Sequence, residues 1–168
     1  MKKVYTIDLS VSGIKELQNG LKEHDKWLKK KSDELCKRLA EMGAVRASLE
    51  FSRAIYNGPE DHEITVEPCE GGYKVRATGS TVLFVEFGTG LIGYGHPELH
   101  GMGPGTYPGE GHWDDPSGWW LPKDKQGRGR TEDQSRHTYG NPPNMPMYNT
   151  VKGLEQELAR VVKEVFAD

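Results

Sequence analysis

Histidines and acids gather in one stretch of the chain, where His96, His100, His112 and His137 lie among Glu98, Glu110, Asp114 and Asp115. Imidazoles and carboxylates are the usual ligands of a zinc-type cation, so metal chemistry would have to arise from this pool. His96-Pro97-Glu98-Leu99-His100 even mimics a zinc-protease motif, in which two histidines on one helix face bind the metal beside a glutamate base. Here the glutamate stands at the wrong position, and Pro97 with the flanking glycines opposes a continuous helix, so the two imidazoles would not share a face. A metal-dependent enzyme is kept only as the least favoured alternative.

Other reactive groupings are thinner. Cys36 and Cys69 are not spaced as a metal knuckle or a redox pair, and one pair of cysteines is no disulfide framework for a domain of this size, so a reducing cytoplasm is expected. Cys36 falls on an apolar stripe and reads as core. Gly101-Met102-Gly103-Pro104-Gly105 lacks the lysine, the hydroxyl residue and the following helix of a phosphate-binding loop. Lys123, Lys125, Arg128, Arg130 and Arg136 are diluted by Asp124, Glu132 and Asp133 and read as a solvated hairpin tip. The net charge of -3 supplies no general attraction for nucleic acid. No cofactor is expected.

One short run remains, Val85-Glu86-Phe87-Gly88-Thr89-Gly90. Its glycines permit backbone angles closed to other residues, so the chain can turn sharply there. Glu86 stands among apolar neighbours and must meet a backbone donor, a basic residue or another subunit. A local cap that satisfies the turn's amides and a contact between subunits both remain open.

The elements that must position this run are legible from periodicity. The 168 residues suit one domain, and with only 35% hydrophobic residues the core must come from a few well-patterned segments. Val4, Tyr5, Ile7 and Leu9 make a short β-prone start. Ile14, Leu17, Leu21, Trp27, Leu28, Leu35, Cys36, Leu39 and Met42 form one stripe of a long helix, which Gly43 can end or bend. Val45, Leu49, Ala54 and Ile55 suggest a shorter helical continuation up to Asn57-Gly58-Pro59. The alternating runs 63–67 and 73–78 predict a β-hairpin. The apolar run 82–87 fits a buried strand or a buried helical turn equally well.

From about residue 91 to residue 143, glycine, proline, histidine and aromatic residues replace any periodic pattern, as in an extended loop or hairpin insert. Within it, Trp119 and Trp120 mark a short strand, residues 135–139 can return as its partner, and Trp113 adds a further large apolar surface. Val151, Leu154, Leu158, Val161, Val162, Val165 and Phe166 then define a closing helix opened by Pro146. No long apolar run of about 18 residues and no signal-peptide pattern is present, so neither a membrane span nor ordinary secretion is expected.

In this order the segments resemble the tail-completion, or head-tail joining (neck), proteins of long-tailed bacteriophages. The likeness is carried by Val85-Glu86-Phe87-Gly88-Thr89-Gly90 after a hairpin, by Trp119-Trp120 before a charged glycine turn, and by Thr138-Tyr139-Gly140-Asn141-Pro142-Pro143 leading to Met145-Pro146-Met147-Tyr148-Asn149. Pro146-Met147 stands where the family usually has Pro-Phe, a volume-tolerant apolar swap. The resemblance implies a non-enzymatic virion subunit that forms a homo-oligomeric ring. It would dock on connector or adaptor and tail proteins and let DNA pass without specific binding. Its places would be the virion and, during assembly, the bacterial cytoplasm. A tail terminator or minor capsid component of similar architecture is the alternative.

The expected fold is α+β, one domain over residues 1–168. A small, mostly antiparallel sheet should be packed by a long amino-terminal helix and a carboxyl-terminal helix, with 91–143 as a projecting glycine-, proline- and tryptophan-rich insert. The expected contact residues are Val85, Glu86, Phe87, Gly88, Thr89, Gly90, Trp113, Trp119, Trp120, Pro146 and Met147. Elemental analysis of the purified protein should find no stoichiometric metal. One metal ion per chain, lost on replacing His96 and His100 by alanine, would restore the enzyme alternative.

Overall fold

The fold is α+β, seen in a computed structural model that describes residues 8, 10–56, 61–89, 117, 119–120 and 137–167. The β-prone start at residues 4–9, apart from Asp8, lies outside the described residues. So do Gly90, Trp113, the histidines at 96, 100 and 112, and the basic cluster at 123–136.

Helix α1, Val11–Ser52, is the frame on which the rest is laid. Ser10 caps its start, its Oγ accepting from the Gly13 amide at 3.1 Å, which satisfies one of the amides that have no partner within a helix. At 42 residues it is about 63 Å long at the usual rise. The helix does not end at Gly43, so the stripe before it and the continuation expected after it are one element. Packing overrides the local weakness of glycine here: a side-chain Cβ at Gly43 would sit 3.1 Å from Leu154 Cδ1 and 3.3 Å from Val75 Cγ2. Gly43 is thus a point where α1, the hairpin and the last helix meet in close contact.

The hairpin pairs β1, Glu63–Cys69, with β2, Gly72–Thr78, in antiparallel register from Glu63↔Thr78 to Cys69↔Gly72. Glu70 and Gly71 close it, and Gly71 takes the left-handed φ of 82° that so tight a turn needs. Val75 packs toward α1, and His62 stacks on Phe51 at 4.9 Å between ring centres, which fixes the other end of the hairpin to the end of α1.

The ambiguous apolar run is helical: α2 spans Val82–Phe87. A second two-stranded ladder joins β3, Trp119–Trp120, to β4, His137–Thr138, as the sequence suggested for the runs flanking the charged turn. Strand β5, Gly140–Asn141, follows, bridged at Asn141 to Thr89. Residues 140–143, which the sequence places in the projecting insert, are instead docked on α2.

Helix α3, Pro146–Val165, lies along α1 and supplies Val161 and Val165 to the core formed with Ala40, Ala47, Phe51 and Val85. Its far end brings Phe166 edge-on to Trp27 at 5.8 Å, and Arg38 of α1 pairs with Glu164. Gly153 lets the Arg46 guanidinium lie against the α3 backbone, where any side chain would collide with it. Toward its amino terminus α1 is less covered. Ile14, Leu21 and Leu28, spaced by seven residues along one side, remain 43%, 50% and 40% exposed.

Gly43→Val should therefore lower stability by about 1–3 kcal/mol, because the added isopropyl group would have to displace Leu154 and Val75. Urea denaturation would read the loss. Unaltered stability would mean that the helices do not approach so closely there.

Candidate functional site

The residues singled out between Val85 and Thr89 meet the start of α3, and each contact has a local cause. Asp61 first fixes where α2 begins. Its carboxylate accepts from the Ser80 amide at 2.9 Å, the Ser80 hydroxyl at 2.6 Å and the Thr81 hydroxyl at 3.3 Å. The Ser80 hydroxyl and amide hold the Asp61 carboxyl below the ordinary aspartate range. The chain then turns into α2, which carries Val85 and Glu86 inward.

Glu86 is 8% exposed, and its two carboxylate oxygens are divided between two backbone amides. Oε2 accepts from Met147 N at 2.9 Å and Oε1 from Tyr148 N at 3.0 Å. These are the second and third residues of α3, whose amides need an outside acceptor. The residue that should supply one is Met145, which has no capping side-chain oxygen and sits in a left-handed conformation with φ 51°. Glu86 therefore caps α3 from a different helix, with its negative charge at the positive end of the helix dipole. Of the two roles left open by the sequence, the buried partner is a backbone donor, although it belongs to α3 and not to the glycine turn.

Burial pushes the Glu86 carboxyl above the ordinary glutamate value, against the opposing pull of the Met147 and Tyr148 amides. Desolvation outweighs hydrogen bonding, so the capping charge is held at a cost.

Around this cap the two segments are laced together through backbone. Asn144 N donates to Val85 O at 2.9 Å and Met145 N to Glu86 O at 3.3 Å. Asn141 donates through Nδ2 to Phe84 O at 2.9 Å, while its own amide reaches the buried Thr89 hydroxyl at 3.2 Å. That hydroxyl in turn donates to Asn141 Oδ1 at 2.5 Å. Asn144 ties the end of α1 to the same place, its Oδ1 accepting from Ile55 N at 2.7 Å and its Nδ2 donating to Ile55 O at 3.3 Å. Gly88 makes this closeness possible. It adopts φ 72°, and a Cβ there would stand 2.7 Å from Pro143 N and 2.9 Å from Asn141 O.

Of the expected residues, Val85, Glu86, Gly88, Thr89, Pro146 and Met147 thus converge, with Phe87 half-buried at the end of α2. Trp119 and Trp120 belong to the separate β3–β4 ladder. Asp61 and Asn144 escaped the sequence analysis, and Asn141 entered it only within the run 138–143, with no role of its own. The asparagines stand in a proline-rich lead to a helix, where side-chain amides commonly satisfy turns, and that composition was their one signal. Within this centre Glu86 bonds backbone amides, one through each carboxylate oxygen, while Asn141 and Thr89 bond each other and Asn141 reaches Phe84 O. Among the described residues no cluster of three or more histidines, cysteines or acids is placed to hold a metal ion.

Comparison of the chain with protein-family models, with curated proteins and with solved structures gives no match.

Glu86→Ala should cost about 2–4 kcal/mol, since two amides at a helix start lose charged acceptors. Glu86→Gln leaves one amide without an acceptor and removes the titration. A raised carboxyl pKa stabilises the fold fully below the ordinary glutamate value, and that stability is lost as pH rises through the raised one. Thermal melts from about pH 4 to pH 7 should therefore show wild type losing its advantage over Glu86→Gln as pH rises. A gap that widened with pH would reverse the sign assigned here.

Proposed function

We propose that this chain is a non-enzymatic assembly subunit of a long-tailed phage particle, a tail-completion or neck component that works by self-association and by docking on connector and tail proteins. One observation carries the proposal: two of the three segments of the phage-type resemblance close on each other, 85–89 on 140–147, through the Glu86 cap and the asparagine ties. A sequence signature used to build a fold has no need of a substrate. An enzyme would instead be expected to keep a perturbed acid or base open to a reactant.

The surface agrees with an assembly role. Ile14, Leu21 and Leu28 present an apolar line on α1 that the described residues leave substantially exposed, and such a line is suited to a helix of a neighbouring subunit or partner. Repeated head-to-tail contact between copies would close a ring around passing DNA, which calls for no specific nucleic-acid binding. No described helix is long and apolar enough to cross a membrane.

Removal of the protein from a producing phage should leave filled heads and finished tails unjoined in the lysate, countable by electron microscopy. Joined, infectious particles at normal yield would refute the neck role. In the same system Leu21→Glu should change the melting temperature little, because the residue is half exposed, yet reduce the yield of joined particles at least about tenfold. Full yield from that variant would remove the α1 line from the interface.

A further inference from the structure

Cys36 and Cys69 are 33 residues apart in sequence but line the same cleft, a space of about 350 Å³ bordered also by Gly71, Gly72, Tyr73 and Leu154. Both are free thiols, Cys36 half-buried on α1 and Cys69 exposed at the end of β1. From the backbone geometry we propose that they form a dithiol modification site, which closes to a disulfide between α1 and the hairpin turn by exchange with a small disulfide.

Gly72 is the ruler. A Cβ built on it would lie 3.7 Å from both Cβ and Sγ of Cys36, so the face of β2 at this position looks directly at the α1 thiol. Cys69 is the residue paired with Gly72 across the ladder. Directly opposed residues of an antiparallel pair project from the same face with Cβ positions roughly 4.5–5.5 Å apart, so Cys69 also points toward α1. Because residue 72 is glycine, no side chain stands between the sulfurs. The remaining adjustment falls on the exposed turn Glu70–Gly71, where a Cβ at Gly71 would meet nothing within 4 Å. Bonded cysteines need Cα atoms within about 4.4–6.8 Å, and the exposed turn is the part of the hairpin that would move to meet that limit.

The chemistry balances with a small organic disulfide, such as oxidised glutathione, as oxidant. The exposed Cys69 thiolate attacks one sulfur of that molecule, forming a mixed disulfide and expelling one thiolate. Cys36, deprotonated in its turn, attacks Cys69 Sγ, expels the second thiolate and leaves the bond between the two protein sulfurs. Two cysteine thiols and one small disulfide thus become one protein disulfide and two small thiols. Such a bond would staple the far end of the hairpin to the middle of α1, independently of any assembly role.

The test is equilibration of the full chain in graded mixtures of reduced and oxidised glutathione, once folded and once in urea, followed by acid quench and intact mass measurement. The expected product is a monomer lighter by two hydrogens, with a 36–69 cross-link in its digest. It should form in the folded protein at an oxidant ratio about tenfold lower than in urea, because folding holds the thiols together. Cys36→Ser should stop at the single glutathione adduct on Cys69, and the wild-type comparison stands whether or not that variant folds. Stable glutathione adducts on both cysteines, disulfides between chains, or equal oxidation in the two conditions would overturn the site.

Discussion

A helix that begins inside a protein brings amide hydrogens that its own ladder cannot satisfy, and in this chain the start of α3 meets that demand with a carboxylate from another helix. Glu86 accepts from Met147 and Tyr148 together, in place of the absent capping side chain at Met145. Most of the surrounding geometry follows from that requirement. Residues 82–87 have to coil so that Glu86 faces inward while Val85 enters the core. The chain has to leave α2 sharply, which only a residue tolerant of positive φ allows, and Gly88 supplies it beside Pro143 and Asn141. Met145 accepts a left-handed conformation ahead of Pro146 because its amide is held by Glu86 O and those of Met147 and Tyr148 by the carboxylate.

The second constraint is the close meeting of helices. α1 and α3 approach through Gly43 and Gly153, and the gaps left by missing side chains are filled by Leu154, Val75 and the Arg46 guanidinium. Small residues in these helices are therefore packing features, which explains why α1 is continuous where its sequence looked interrupted. Asn144 connects the two constraints, since it bonds both faces of Ile55 at the end of α1 and donates its amide to Val85. The cap, the asparagine ties and the helix pair consequently act as one structural unit.

Periodicity revealed the two long helices and the hairpin because apolar residues recur at the spacing of each element, although Ile14, Leu21, Leu28, Val151 and Leu158 of those stripes remain exposed. It could not decide the six residues of α2, which are nearly all apolar and too short to show a period. That α1 does not end at Gly43 has a different reason: local propensity is a weak force beside the packing of three elements. Glu86 was recognisable as a residue in need of a partner, but the partner lies 61 residues away and is backbone, which no side-chain pattern announces. Asp61 and the two asparagines were hidden likewise, since their bonds run to main-chain or short hydroxyl groups distant in sequence. The approach of Cys36 to Cys69 depends on hairpin register against helix phase, a product of two elements that neither displays alone.

The phage-assembly proposal and the structural account share one premise, that the signature residues are spent on holding the subunit together. Hydrogen exchange at individual backbone amides examines it at the atoms concerned. With Glu86 in place, the Met147 and Tyr148 amides should exchange slowly despite standing in the first turn of a helix, and in Glu86→Ala these two should lose protection while Val161 and Val165 keep theirs. If Met147 and Tyr148 exchange equally slowly in both proteins, the carboxylate is not their acceptor and the central cap proposed for this fold is wrong.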